Sequence, residues 1–145
     1  MWASLALSLV AVAIAAYLTI THYADPAALA CPDHGVINCT LVTTSSYSVV
    51  FGIPVAVLGL VWAATMTALC LPAAWRSQAG WIDTTRLAAA LVGAAMVLYL
   101  IYVELFDVGA ICLWCSAIHL VTIALLAVIL IGRIESPLPE RQGAK

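Results

Sequence analysis

Charge is what this chain lacks. Its 145 residues include five Lys or Arg and seven Asp or Glu, 8% of the total, while 66% are hydrophobic. Soluble domains carry about 25% charged residues and about half apolar ones. A soluble globular domain is therefore excluded. So is a disordered chain, which needs the opposite bias. The formal net charge of −2 leaves no basic footprint for nucleic acid. No G-x-G-x-x-G phosphate loop occurs, and no C-x₂-C-x₂-C iron–sulfur spacing. No alternation of apolar and polar residues points to a membrane β-barrel. What is present is a set of long apolar runs and five cysteines. The length fits a single transmembrane domain over residues 1–145.

A helix needs about 20 apolar residues to cross a ~30 Å hydrocarbon core. Four runs qualify, at about 2–21, 49–71, 87–106 and 112–132. Backbone groups in lipid must pair within their own segment, so these runs read as helices. The expected architecture is all-α: an integral membrane four-helix bundle. A long extracytoplasmic loop, about 22–48, joins spans one and two. Arg76 and Arg86 flank the middle loop, and Arg133, Arg141 and Lys145 follow span four. The long first loop has no Lys or Arg. By the positive-inside rule both termini are cytoplasmic, and the first and third loops face outward. The expected location is the cell inner (plasma) membrane. Ala28-Leu29-Ala30 has the form of a signal-peptide cleavage site. No basic residue precedes the first apolar run, however, and the run is long, so it reads as a retained span. Trp2, Trp75 and Trp81 read as interfacial anchors. Gly52 and Gly59 read as sites of close helix packing. Glu104 and Asp107 read as interfacial solvation, with tuning of the C-x-x-C thiols or proton relay as the sharper alternative, and the tail from Glu135 reads as a frayed end.

Four cysteines fall on the outer, oxidising face as two pairs: Cys31 and Cys39 in the loop, Cys112 and Cys115 opening span four. Cys70 lies at the inner end of span two, out of reach, and reads as a free thiol of no catalytic use. Cys112 and Cys115 are three apart, which places both sulfurs on one helix face. A helix N-terminus favours the thiolate, the nucleophile of disulfide exchange. Three readings stay open on the residues alone. One is a redox relay between the pairs. The second is a four-span structural protein in which static disulfides close the loop around Pro32, Gly35 and Asn38. The third is a metal site using Cys112, Cys115 and His119, which share one helix face. A relay needs a terminal electron acceptor. Without a nucleotide or cluster motif, that acceptor is expected to dissolve in the bilayer, as a quinone does. His119, one turn below Cys115, is placed to hydrogen-bond a quinone oxygen or move a proton.

The order Cys31, Cys39, Ser45, Phe51-Gly52-Ile53-Pro54, Gly59 and Cys112-Leu113-Trp114-Cys115 resembles the vitamin K epoxide reductase family. The resemblance runs from span one to span four. It implies a four-helix bundle around a quinone pocket. It implies that Cys31 exchanges with an external thiol and that Cys39 pairs with Cys31 and transiently with Cys112. Cys115 would then reduce the quinone: menaquinone, ubiquinone or phylloquinone. Ser45 and Phe51 match a loop serine and a pocket aromatic. His119 and Ser48 stand where members often carry a tyrosine and an asparagine that hold quinone oxygens. That makes plain quinone reduction the expected chemistry rather than epoxide reduction. No resident metal is expected. Some members carry a fused thioredoxin-like domain; here the thiol partner is expected to be a separate secreted thioredoxin-fold protein. The implied activity is that of a quinone-dependent thiol–disulfide oxidoreductase, similar in effect to disulfide-bond protein B.

Overall fold

The computed structural model describes residues 1–31, 35–77 and 79–135. The protein is all-α apart from one small hairpin. Three helices are long and apolar enough to cross a membrane: Trp2–Ala24 (α1), the continuous run Gly80–Val108, and Leu113–Ile134. A fourth apolar helix, Val55–Cys70, is shorter. The tail beyond Glu135, with Arg141 and Lys145, lies outside the described residues, as do Pro32 and His34 of the loop.

Helix α1 buries Ser4, Ser8, Ala11, Ala15 and Leu18, one stripe of mostly small side chains. Small residues let backbones approach where lipid offers no hydrophobic drive. The two serine hydroxyls donate back to the carbonyls of Met1 and Leu5, at 2.8 and 2.9 Å, so burying them leaves no orphan. This face packs mainly on the helix Val55–Cys70 and next on the last helix.

The outer loop is structured. It contains a short helix, Cys39–Thr43 (α2), followed by a single 3₁₀ turn, Ser46–Ser48. Asn38 caps α2 by accepting from the Leu41 N–H at 2.8 Å. An antiparallel hairpin follows, Val49–Val50 (β1) against Ile53–Pro54 (β2). Its two turn residues, Phe51 and Gly52, both have positive φ, 53° and 81°. Two consecutive left-handed residues are what a two-residue hairpin turn of matching twist demands.

The second apolar run, expected over 49–71, is therefore divided: its first six residues are hairpin. The helix Val55–Cys70 (α3) has 16 residues, about 24 Å at 1.5 Å per residue. It ends at Leu71, and Pro72 opens the short helix Pro72–Arg76 (α4) at a position where a missing N–H costs nothing. The third run starts earlier than expected. Helix Gly80–Tyr102 (α5) takes in Asp83 and Arg86. They fit inside because their charges are spent within the bundle. Arg86 is 2% exposed. Its Nε donates to the Leu69 carbonyl at 2.9 Å, capping α3. Its Nη1 meets Asp83 at 3.3 Å, and its guanidinium stacks 3.9 Å from the Trp75 ring. Arg133 of the last helix meets the other Asp83 oxygen at 3.0 Å. The network ties α3, α4, α5 and Leu113–Glu135 (α6) together at one end. Trp75, expected as a lipid anchor, instead covers Arg86.

The close helix approach is at Gly93, not at Gly52 or Gly59. A Cβ on Gly93 would run into the Trp62 ring, whereas one on Gly59 would meet open space. A lower core of Met66, Cys70, Ala90, Leu125 and Ile129 fills one end of the bundle. An upper core gathers Leu18, Leu29, Cys39 and Cys112.

Candidate active site

The loop cysteines reach α6 through backbone pairing. Ile37 forms a parallel bridge with Ile111. The Asn38 N–H donates to the Ile111 carbonyl at 3.1 Å, and the Ile111 N–H donates to Val36 at 2.9 Å. Cys39 follows Ile37 by two residues and Cys112 follows Ile111 by one, so this bridge sets the two cysteines side by side. Both are fully buried in the same apolar cluster. The Leu113 N–H donates to Cys39 Sγ at 3.3 Å. Cys31 and Cys39 are joined in a disulfide, while Cys112 and Cys115 are free thiols.

Residue Ala30, next to Cys31, is held on both sides. Its N–H donates to the Tyr17 hydroxyl at 3.0 Å, and its carbonyl accepts from Trp114 Nε1 at 3.0 Å. The Tyr17 and Trp114 rings lie 4.6 Å apart. Trp114, inside the C-x-x-C, thus roofs the disulfide and anchors the chain leading into it. Composition gives no hint of this clamp, because it joins residues 84 positions apart.

Cys112 caps the start of α6 with its sulfur. The Cys115 N–H donates to Cys112 Sγ at 3.2 Å. The Cys115 thiol also donates to it, and this bond is the largest cause holding the Cys112 thiol below its ordinary ionisation range. Burial opposes the shift; backbone N–H groups of Cys115 and Trp114 assist it. Of the two thiols, Cys112 is the one more readily ionised.

Beneath the cysteines lies a cavity of about 330 Å³, within the range of small-molecule sites. Its walls are mainly apolar. Cys115, His119, Ser45 and Ser48 line it, together with Trp62 and Glu104. The Ser45 and Ser48 hydroxyls are already donating to the Val42 and Ser45 carbonyls, at 2.8 and 2.7 Å. They face the cavity as acceptors. His119 is 5% exposed and its Nε2 has no hydrogen-bond partner. A buried orphan nitrogen on a cavity wall is what a ligand oxygen would satisfy.

Phe51 stands apart from these residues. It is 100% exposed at the hairpin tip and is not among the lining residues. The expectation that it lines the pocket is corrected by the turn, whose left-handed backbone points the ring outward. Glu104 is a second correction. It is buried and on the cavity wall, not solvated at the interface. Among the described residues, no three of His, Cys, Asp and Glu are grouped as a metal site, so Cys112, Cys115 and His119 are not assembled as ligands.

Two cysteine pairs in contact, one of them bordering an apolar cavity, agree with what family comparison finds. The model of the vitamin K epoxide reductase family matches residues 2–130. The chain belongs to the vitamin K epoxide reductase family. No curated protein matches it. The family is one of membrane-embedded, quinone-linked oxidoreductases, and this member is a membrane protein with a disulfide between its loop cysteines. Tyr17 and Trp62 are site residues that motif reading passes over, and Glu104 is one it first read as interfacial. Only Glu104 carried a signal, as a carboxylate within an apolar run.

Proposed function

We propose that the protein is a membrane thiol:quinone oxidoreductase. It takes electrons from a separate extracytoplasmic thioredoxin-fold protein and delivers them to a bilayer quinone, so that disulfides are made outside the cytoplasm. The observation that carries this reading is the spatial order of the sulfurs. Cys31 is part-exposed, Cys39 and Cys112 are buried side by side, and Cys115 borders the cavity. Electrons entering at Cys31 have one path inward.

Each transfer is a thiolate attack through a mixed disulfide. A partner thiolate meets Cys31 first, because Cys39 is covered. Release of the partner as its own disulfide leaves Cys31 and Cys39 reduced. Cys39 then exchanges with an oxidised Cys112–Cys115 pair by way of Cys112. The reduced pair regenerates its disulfide by passing two electrons to the quinone. The cavity residues fit such an acceptor: apolar walls for the ring, and His119 with an unsatisfied Nε2 for an oxygen. The bundle is read as four crossings, with α3 as the short one. Cytoplasmic termini are supported by the basic residues Arg76, Arg133, Arg141 and Lys145 on one side of the expected spans.

The test is a coupled assay on purified protein in detergent. A reduced thioredoxin-fold protein and a short-chain quinone are added, and quinone absorbance is followed. Quinone loss that requires both the partner and Cys115 is the expected result. No loss, with all four outer cysteines permanently oxidised, would turn the assignment to static disulfides.

A further inference from the structure

Among the described residues, Glu104 is the only buried carboxylate, at 6% exposure. It lies in a π-helical turn, Val103–Val108, that continues α5. The N–H groups of Gly109 and Ala110 both reach the Glu104 carbonyl, and Gly109 closes the turn with a φ of 68°. Such widened turns recur at functional sites. This one brings the Glu104 carboxylate under the start of α6. There it faces the Cys112 backbone N–H and the Cys115 thiol, whose one proton is shared between Cys112 Sγ and Glu104. Glu104 and His119 border the cavity beside Cys115, and both also border a second hollow with Ser116.

A buried carboxylate in an apolar helix is costly to keep. Among the described residues no cation faces it: Cys112, Cys115 and His119 do, and Asp107 of its own turn is exposed. Its partner is the proton of a reacting thiol. That proton has to leave. Two thiols that become a disulfide release two protons, and a quinone that becomes a quinol gains two.

We infer that Glu104 is a catalytic proton carrier between the Cys115 thiol and the electron acceptor in the cavity. The inference rests on the thiol:quinone reading above. In the step, the Cys115 S–H bond breaks and the proton joins the Glu104 carboxylate. The Cys112 thiolate and the Cys115 sulfur form the S–S bond, and the two electrons released reduce the quinone. Glu104 returns its proton to one oxygen of the product. The second proton is the equivalent of the one Cys112 lost on ionising, and it comes from water on the outer side.

The experiment uses the full chain in lipid nanodiscs, reduced beforehand and mixed rapidly with a short-chain quinone. Glu104→Gln keeps the size and one acceptor oxygen but cannot carry the proton. It should slow quinone reduction at neutral pH by about 100-fold or more, the usual worth of a positioned acid–base group. Its rate should keep rising with pH where the wild type has levelled off, because bulk base replaces the lost one. Glu104→Asp should recover part of the rate, and Asp107→Asn should match the wild type. A second readout separates chemistry from damage. In a Cys31→Ala/Cys39→Ala background, ultraviolet thiolate absorbance should show Cys112 ionising at lower pH in Glu104→Gln, since the neighbouring anion is gone. Easier ionisation with slower turnover is a combination that a merely structural role does not produce. Equal rates and pH profiles for Glu104→Gln and wild type would overturn the role of Glu104 alone. Slow turnover with no change in Cys112 ionisation, or with loss of the Cys31–Cys39 disulfide, would overturn it in favour of structure. A wild type that leaves every quinone untouched would overturn both this role and the function it rests on.

Discussion

Gly93→Ala tests how tightly the cavity wall is built. The added methyl would run into two carbons of the Trp62 ring, well inside van der Waals contact. The ring cannot swing away freely, because its Nε1 donates to the Ala89 carbonyl at 2.8 Å. Overpacking a tight contact costs about 1–3 kcal/mol. Losing the indole hydrogen bond adds about 1 kcal/mol. Alanine returns about 1 kcal/mol through helix propensity. The net expectation is a loss of about 2 kcal/mol. Trp62 borders the cavity, so the displaced ring should also intrude on the site proposed for the quinone and raise KM. Gly59→Ala is the internal control. It adds the same methyl to the apolar helix α3 with nothing within 4 Å, so it should hold or gain stability, and because Gly59 also borders the cavity it serves as the control for stability alone. Thermal unfolding in one detergent, with quinone KM for each variant, makes the measurement. Equal unfolding temperatures for the two variants would refute the reasoning about the Trp62 contact.

Other outcomes follow from the same geometry. Cys39→Ala or Cys115→Ala should abolish partner-to-quinone turnover. Cys70→Ala should leave it intact, since Cys70 belongs to the lower core; loss of turnover there would undo the assignment of sides. The Cys112 thiol is held below its ordinary range mainly by the Cys115 thiol. Its exchange rate should rise with pH as thiolate forms and level off below the pH at which a free cysteine does. Replacing Cys115 with Ala removes the donor and should move that plateau upward in a pH profile of mixed-disulfide formation. Arg86→Met should cost about 2–3 kcal/mol, the worth of charge-assisted bonds to Leu69 and Asp83. Arg86→Lys should not restore it, because stacking on Trp75 and the Leu69 bond both use the planar guanidinium; chemical unfolding of both variants checks this.

Local composition by itself determined that this is a membrane protein of apolar helices. Transfer into lipid is a sum over residues, and no tertiary contact is needed to evaluate it. Spacing determined that Cys112 and Cys115 share a helix face, because 3.6 residues per turn is fixed by the backbone. What depends on distant partners was not legible. The 49–71 run reads as uniformly apolar, yet the left-handed pair Phe51-Gly52 makes its first part a hairpin and turns Phe51 away from the cavity. Arg86 reads as the edge of a span, yet Leu69 and Asp83 accept from it and the Trp75 ring stacks on it, which lets the helix run on past it. Glu104 reads as solvated, yet the π-turn swings it under Cys112 and Cys115. The meeting of Cys39 with Cys112 rests on the Ile37–Ile111 bridge, two hydrogen bonds between segments 74 residues apart. Which face of a helix looks inward, and which loop lands on it, is decided by packing among elements rather than by the hydropathy of any one of them.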